Sequence, residues 1–293
     1  MKLSQLGEDG LIRRIARRIK PDRSVLRGIG DDCAVLRGSG WMLQLFASDM
    51  LVEGVHFRKG DPAEGIGWKA LAVNVSDVAA MGGLPRDAVV SLGLPSDTRV
   101  SFVDRLYRGL RRCAERYEVS LVGGDTVRAP QVVMDVAILG EVERDRVLYR
   151  SGAKVGDHLL VTGRLGGSLK SGRHLRFVPR VQEARMLTAR ARLHAMMDLS
   201  DGIWTDLPRL CQASGVSALL EADRIPRNRG CSLKEALTDG EDFELLIAAS
   251  ETDTRKLLGW AARNLPCGLH RIGRIVPRDA AGFVTSLHGF RHF

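Results

Sequence analysis

At 293 residues, 44% of them hydrophobic, the chain is long enough for two domains of ordinary size, each with its own core. No apolar run approaches the roughly 20 residues of a membrane span, and the opening MKLSQLGEDG lacks the apolar centre of a signal peptide, so a cytoplasmic protein without a membrane partner is expected. The net charge of +9 comes with no basic tail, zinc finger or aromatic-basic motif; it fits attraction of anionic phosphate substrates, and nucleic acid is not expected as a partner.

In chain order, Leu11, Ile12, Ile15, Ala16 and Ile19 repeat at helical spacing and predict an amphipathic helix over 8–20, closed by Pro21. A strand over 42–47 delivers Ser48 and Asp49, and a turn carries Glu53 to His56. Residues 62–81 read as a helix stopped by Gly82-Gly83-Leu84-Pro85. A strand over 88–94 precedes a second amphipathic helix over 100–117, with Phe102, Leu106, Leu110 and Ala114 inward. Strands over 120–122 and 132–139 flank a loop at 123–130. A polar, basic connector at 143–156 sets the expected boundary between domains 1–143 and 144–293. Beyond it come a strand at 158–162 entering a Gly-rich loop at 163–172, a helix at 181–193 and a short strand at 196–199. A helix at 205–213 follows, with Pro208 tolerable only in its first turn. An apolar strand at 245–249 and a helix at 252–264 complete the pattern. Cys33, Cys113, Cys211, Cys231 and Cys267 are scattered, odd in number and never paired as CxxC, which argues against a disulfide framework or a zinc site.

The stretch LAVNVSDVAAM at 71–81 breaks the pattern of its own helix. Almost every position is small or apolar, yet Asn74 and Asp77 interrupt it on one face. A carboxylate in an apolar helix is costly unless a cation meets it. Four further acidic clusters stand at Gly-rich strand ends: Asp31-Asp32, Ser48-Asp49, Gly124-Asp125 and Asp198-Leu199-Ser200-Asp201. If Asp31-Asp32 continues a strand, one of the two faces the site and the other does not. There is no GxxxxGK[ST] loop, and Gly28-Ile29-Gly30 continues into two aspartates instead of a helix-opening glycine. Taken singly, each cluster reads as turn chemistry; together they favour metal. Hard oxygen ligands without His or Cys suit Mg²⁺, and several such sites imply more than one ion on a polyphosphate, hence phosphoryl transfer or nucleotide cleavage.

The blocks GIGDDCAVL, ASDMLVEGVHF, ALAVNVSDVAAMGG, LVGGDTVRAP, RSGAKVGDHLLVTG, MDLSDG and DGEDFELL occur in the order seen in the thiamine-monophosphate kinase family, which the chain resembles over essentially its whole length. That family belongs to the superfamily of aminoimidazole-ribotide synthetase. The resemblance implies a two-domain α+β fold with mixed sheets, the N-terminal sheets pairing in a homodimer. It implies Mg²⁺-assisted phosphorylation of thiamine monophosphate by ATP to give thiamine diphosphate. By motif, Asp32, Ser48, Asp49, Asp77, Asp125, Asp198 and Asp201 correspond to Mg²⁺ ligands. Gly124, Asp125, Arg150 and Ser200 correspond to nucleotide contacts, and His56, Glu241 and Phe290 to positions holding the thiamine moiety. The acceptor is a phosphate oxygen already ionised near neutral pH, so no general base is expected; Asp49, Asp77 and Asp125 are expected to act through metal. The rival readings are another ATP-dependent enzyme of the superfamily, or a non-catalytic sensor of thiamine phosphates or nucleotides. A selenophosphate synthetase would need a reactive residue early in the chain, and no Cys precedes Gly28.

Overall fold

A computed structural model describes residues 2–278, and two sheets organise them. The first is built from β1 (Val25–Arg27), β2 (Ala34–Arg37), β3 (Met42–Val52), β4 (Leu84–Leu94), β5 (Ser120–Arg128) and β6 (Val133–Glu143), in the order β1-β2-β3-β6-β4-β5. All neighbours are antiparallel except β4 and β5. Period-two alternation decides its faces. Leu43, Leu45 and Leu51 on β3, with Met134, Val136 and Ile138 on β6, are buried on one side, while Phe46, Met50, Val89 and Leu139 stay exposed.

Two helices cover the buried side, α3 (Ala63–Ala80) and α4 (Val100–Tyr117). They cross at Gly67 and Gly109: a Cβ on Gly67 would come within 1.9 Å of the Leu106 carbonyl oxygen, and one on Gly109 within 1.9 Å of that of Glu64. Only glycine permits backbones this close. Leu106, Leu110 and Ala114 of α4 point inward as the spacing predicts.

The second sheet is wholly antiparallel, in the order β8-β10-β7-β11-β9, from β7 (His158–Thr162), β8 (Leu193–Asp198), β9 (Ser217–Leu220), β10 (Leu245–Ala249) and β11 (Leu269–Val276). Strand β10 reads LLIAA because it is buried on both faces. On one side lie α7 (Ile203–Ser214) and α8 (Leu233–Thr238); on the other, α6 (Val181–Thr188) and α9 (Glu251–Asn264). Two short N-terminal helices, α1 (Leu3–Leu6) and α2 (Glu8–Ala16), a single turn, α5 (Ser168–Ser171), and two 3-10 turns, Arg173–Leu175 and Ala222–Arg224, complete the described elements.

Several elements differ from their sequence expectation. Residues 123–128 are strand, not loop, because β5 extends beside β4 in parallel register through Leu94↔Arg128. Helix α2 ends at Ala16, and its apolar stripe is not covered: Ile12 and Ile15 are 40% and 45% exposed. Helix α6 stops at Thr188, since Leu193 is taken into β8 opposite Ala249. Pro208 stands sixth in α7, past the first turn, and having no N–H it cannot donate to the Trp204 carbonyl four residues back.

Candidate active site

The polar interruptions of α3 each hold a different strand. Asn74, fully buried, donates from its side-chain amide to the Ala70 carbonyl at 3.0 Å and accepts the Asp49 backbone N–H at 3.1 Å. Ser76 Oγ donates to Asp198 Oδ2 at 2.5 Å. One helical turn thus fixes β3 at Asp49 and the end of β8 at Asp198, with Asp77 between them.

Residues 29–33 form a bend, not a strand, so Asp31 and Asp32 both line the cavity, against the expectation that one would turn away. The Arg150 backbone N–H donates to Asp31 Oδ1 at 2.8 Å and its Nε to Asp32 Oδ1 at 3.0 Å. Asp32, Asp77 and Asp198 offer oxygens lying within 4.8 Å of one another. Asp201 follows on the loop after β8, where Arg209 Nη1 donates to Asp201 Oδ2 at 2.5 Å and to Asp206 Oδ1 at 3.1 Å. These groups open on one cavity of about 870 Å³, whose lining includes Ser48, Asp49, His56, Ser200 and Phe243.

Carboxylates so crowded and so dry resist ionisation. Burial, then the Asp32 charge, pushes Asp198 up to about 7, and burial above all pushes Asp49 up to about 6. Asp77 is driven well above its ordinary value by burial and by Asp49 and Asp198. Asp32 is raised by burial against the pull of Arg150, and its Oδ2 is buried with no hydrogen-bond donor. Hard oxygen donors converging in this way, one of them orphaned, fit a divalent cation such as Mg²⁺.

His56 also lines the cavity, its Nδ1 accepting the Val52 N–H at 3.0 Å; Glu241 lies just behind the lining, its backbone N–H donating to the Ser200 carbonyl at 2.7 Å and its Oε2 2.6 Å from Lys69 Nζ. The motif Glu241-Asp242-Phe243-Glu244 is engaged at every side chain. Asp242 accepts from the Gly166 N–H and from Ser168 Oγ and pairs with Arg173; Glu244 accepts from Thr162 Oγ1 and from Arg180; Phe243 stacks on Phe177 with ring centroids 4.0 Å apart. Glu241 and Phe243 take φ values of 58° and 50°, a region unfavourable to side chains bearing a Cβ, and the contacts around them hold it.

Two of the expected positions stand apart. Gly124 and Asp125 lie on the exposed edge strand β5 and do not line the cavity. In the sheet order β5 is three steps from β3, about 14 Å at the usual strand spacing, too far for Asp125 and Asp49 of one chain to share an ion. Phe290 lies outside the described residues. Conversely, Lys69, Ser76, Asp206 and Arg209 belong to the network without having been singled out by the sequence; Lys69 carried the same signal as Asp77, a charge inside an apolar helix, eight residues earlier.

The chain matches the family models for AIR synthase related protein, the N-terminal domain over residues 30–142 and the C-terminal domain over 152–285. It is 37% identical to the thiamine-monophosphate kinase of Rhodopirellula baltica, covering 86% of this chain and 84% of that one, and 36% identical to that of Synechococcus elongatus, covering 99% and 98%. The chain belongs to the thiamine-monophosphate kinase family. Among solved structures, AaThiL complexed with AMPPCP and TMP superposes with a TM-score of 0.87 at 32% identity, over 100% of this chain and 99% of that one. The two-domain mixed fold expected of the family is the fold observed.

Proposed function

We propose that the protein transfers the terminal phosphoryl group of ATP to thiamine monophosphate, giving thiamine diphosphate and ADP. The observation that carries this reading is the convergence of Asp32, Asp77 and Asp198, with Asp49 and Asp201 beside them, in a cavity that His56 and Ser200 also line. The family relatives named for this reaction, and the solved relative holding an ATP analogue and TMP, support it.

Asp32, Ser48, Asp49, Asp77, Asp198 and Asp201 are proposed to hold Mg²⁺. When bound, the cation would offset the charge of the ATP polyphosphate and the acceptor phosphate brought together and of the group in transfer. The chain's own contribution is positional. Asn74, Ser76 and Arg150 set the carboxylates, and Arg150 and Ser200 face the nucleotide side. His56, Glu241 and Phe290 hold the acceptor, whose phosphate oxygen is already ionised, so no side chain has to take a proton. The scattered cysteines support a reducing, cytoplasmic setting.

The protein is further proposed to work as a homodimer through the uncovered face of the first sheet, with 1–143 as the dimerising domain and 144–293 completing the site. Phe46, Met50, Val89 and Leu139 are exposed together there, Phe46 directly opposite Leu139. Closing this face with a second copy buries them and leaves Gly124 and Asp125 of that copy free to complete the cation and nucleotide sites that they cannot reach in their own chain.

The direct test mixes purified protein, Mg²⁺-ATP and thiamine monophosphate and quantifies thiamine diphosphate and ADP against a control without acceptor. Equimolar products are expected. ADP without diphosphate would refute the acceptor, and a folded sample with no turnover would turn the reading toward a sensor.

A further inference from the structure

Lys69 is the largest side chain in the molecule to be fully buried among the described residues, and nothing in the reaction as proposed uses it. A lysine at 0% exposure needs a specific reason, because removing an ammonium from water is costly unless charge and hydrogen bonds replace the hydration. Its Nζ lies 2.6 Å from Glu241 Oε2 and donates to the His56 carbonyl at 2.7 Å. Those are the two described positions assigned to the acceptor.

The surroundings extend this into a continuous chain of contacts. The Glu241 backbone N–H donates to the Ser200 carbonyl at 2.7 Å, anchoring the residue to the loop after β8. On the other side, His56 is anchored to β3 through the Val52 N–H at 3.0 Å. Lys69 therefore bridges the first sheet's His56 turn and the second unit's Glu241 turn. It does so from the same face of α3 as Val73 and Asp77, four and eight residues on, both of which line the cavity. Burial pulls the Lys69 pKa down and the Glu241 pKa up, and in each case the partner's charge opposes the shift. Glu241 also sits at a φ of 58°, so its backbone does not hold the carboxylate in place unaided.

We infer that Lys69 is a positioning residue for the acceptor: its buried ammonium fixes the Glu241 carboxylate and the His56 turn relative to each other, so that thiamine monophosphate meets a preformed contact pair. Lys69 itself does not line the cavity. One Glu241 oxygen is spent on the ammonium, and the other stays available to accept a hydrogen bond from the acceptor. The inference rests on the proposed acceptor role of Glu241, and it predicts a separation between the two substrates. Losing Lys69 loosens the Glu241 and His56 turns and spares the carboxylate cluster that serves the nucleotide.

The experiment is steady-state kinetics on wild type, Lys69→Met, Glu241→Gln and the double variant, each checked for native circular dichroism. In Lys69→Met the KM for thiamine monophosphate is expected to rise by about tenfold, with the KM for ATP and kcat within about twofold of wild type. In the double variant a neutral amide no longer needs the ammonium, so Lys69→Met made on Glu241→Gln is expected to add less than about threefold to that KM. This comparison also serves if Lys69→Met alone does not fold. A folded Lys69→Met whose acceptor KM is unchanged, or whose ATP KM and kcat move as far as the acceptor KM, overturns the inference. So does a full further tenfold loss in the double variant. If Glu241→Gln itself leaves the acceptor KM unchanged, the assignment of Glu241 to the acceptor falls, and the inference with it.

Discussion

Ser76 and Asp198 meet across the two units, the Ser76 hydroxyl donating to a carboxylate oxygen 122 residues away at 2.5 Å. Both are buried, and the contact leaves Asp198 one oxygen directed at Asp32 and Asp77. Groups that orient a metal ligand typically contribute about 10–100-fold to metal affinity or activity. Ser76→Ala is therefore expected to raise the Mg²⁺ concentration needed for half-maximal activity by about tenfold or more at unchanged thermal stability of the first unit. Activity measured across a Mg²⁺ titration checks this, and an unshifted midpoint would show that Asp198 needs no such support.

Asp77→Asn tests the carboxylate cluster from two sides. Turnover should fall by about two to three orders of magnitude, because a neutral amide is a poor replacement for an anionic ligand. In chelator, the same variant should melt at a higher temperature than wild type, since folding no longer has to protonate a carboxylate that burial, Asp49 and Asp198 all disfavour. A variant that retains activity would remove Asp77 from the cation site.

The raised carboxylates also fix a pH dependence. Asp titrates near 3.8 when unfolded, whereas Asp49 is held up to about 6 and Asp198 to about 7 in the fold. Through these two groups the folded state binds more protons, so without metal their contribution to stability is greatest at the acid end and declines as pH rises from about 4 to about 7. Glu143, held down to about 2 by Arg185, works the other way, adding stability as pH rises to about 5, where the unfolded carboxylate is ionised; above that its contribution is constant. Mg²⁺ requires the ionised form and so competes with these protons. Melting in chelator should occur at lower temperature at pH 8 than at pH 6, and the gain from added Mg²⁺ should be larger at pH 8. Equal gains at both values would sever the link between the cluster and the ion.

Phe177 and Phe243 bring the segment before α6 against the cavity wall. Both rings are nearly buried, and deleting such a ring costs about 3–5 kcal/mol. Phe177→Ala should lose stability in that range by urea unfolding. It should also raise the KM for thiamine monophosphate, because Phe243 loses the ring that holds it at the cavity. A loss below about 1 kcal/mol would mean that the wall collapses to fill the space.

The uncovered sheet face yields the last prediction. Leu139→Glu places a charge opposite Phe46 on a surface that needs to be dry in the proposed dimer. Light scattering should report a monomer, with activity falling in parallel as Gly124 and Asp125 of the second copy are lost. A monomeric variant with full activity would confine the site to one chain.

The sequence by itself determined the parts of this protein that depend on local periodicity and on anomalies of residue type. The inward face of α4 follows from spacing, the doubly buried β10 from its unbroken apolar run, and Asp77 stands out because a carboxylate in an apolar helix must be answered by something. The motif blocks carried the family, since their order along the chain requires no coordinates. What only the tertiary structure decided is which anomalies meet. Ser76 with Asp198, Lys69 with Glu241 and Arg150 with Asp32 are separated by more than a hundred residues, and no period links them. The sheet order likewise set Asp125 three strands away from Asp49, although both stand in similar acidic motifs at the ends of predicted strands. Where the length of β5 and the end of α6 departed from expectation, the cause was the same: strand pairing between distant segments outweighed the local preference.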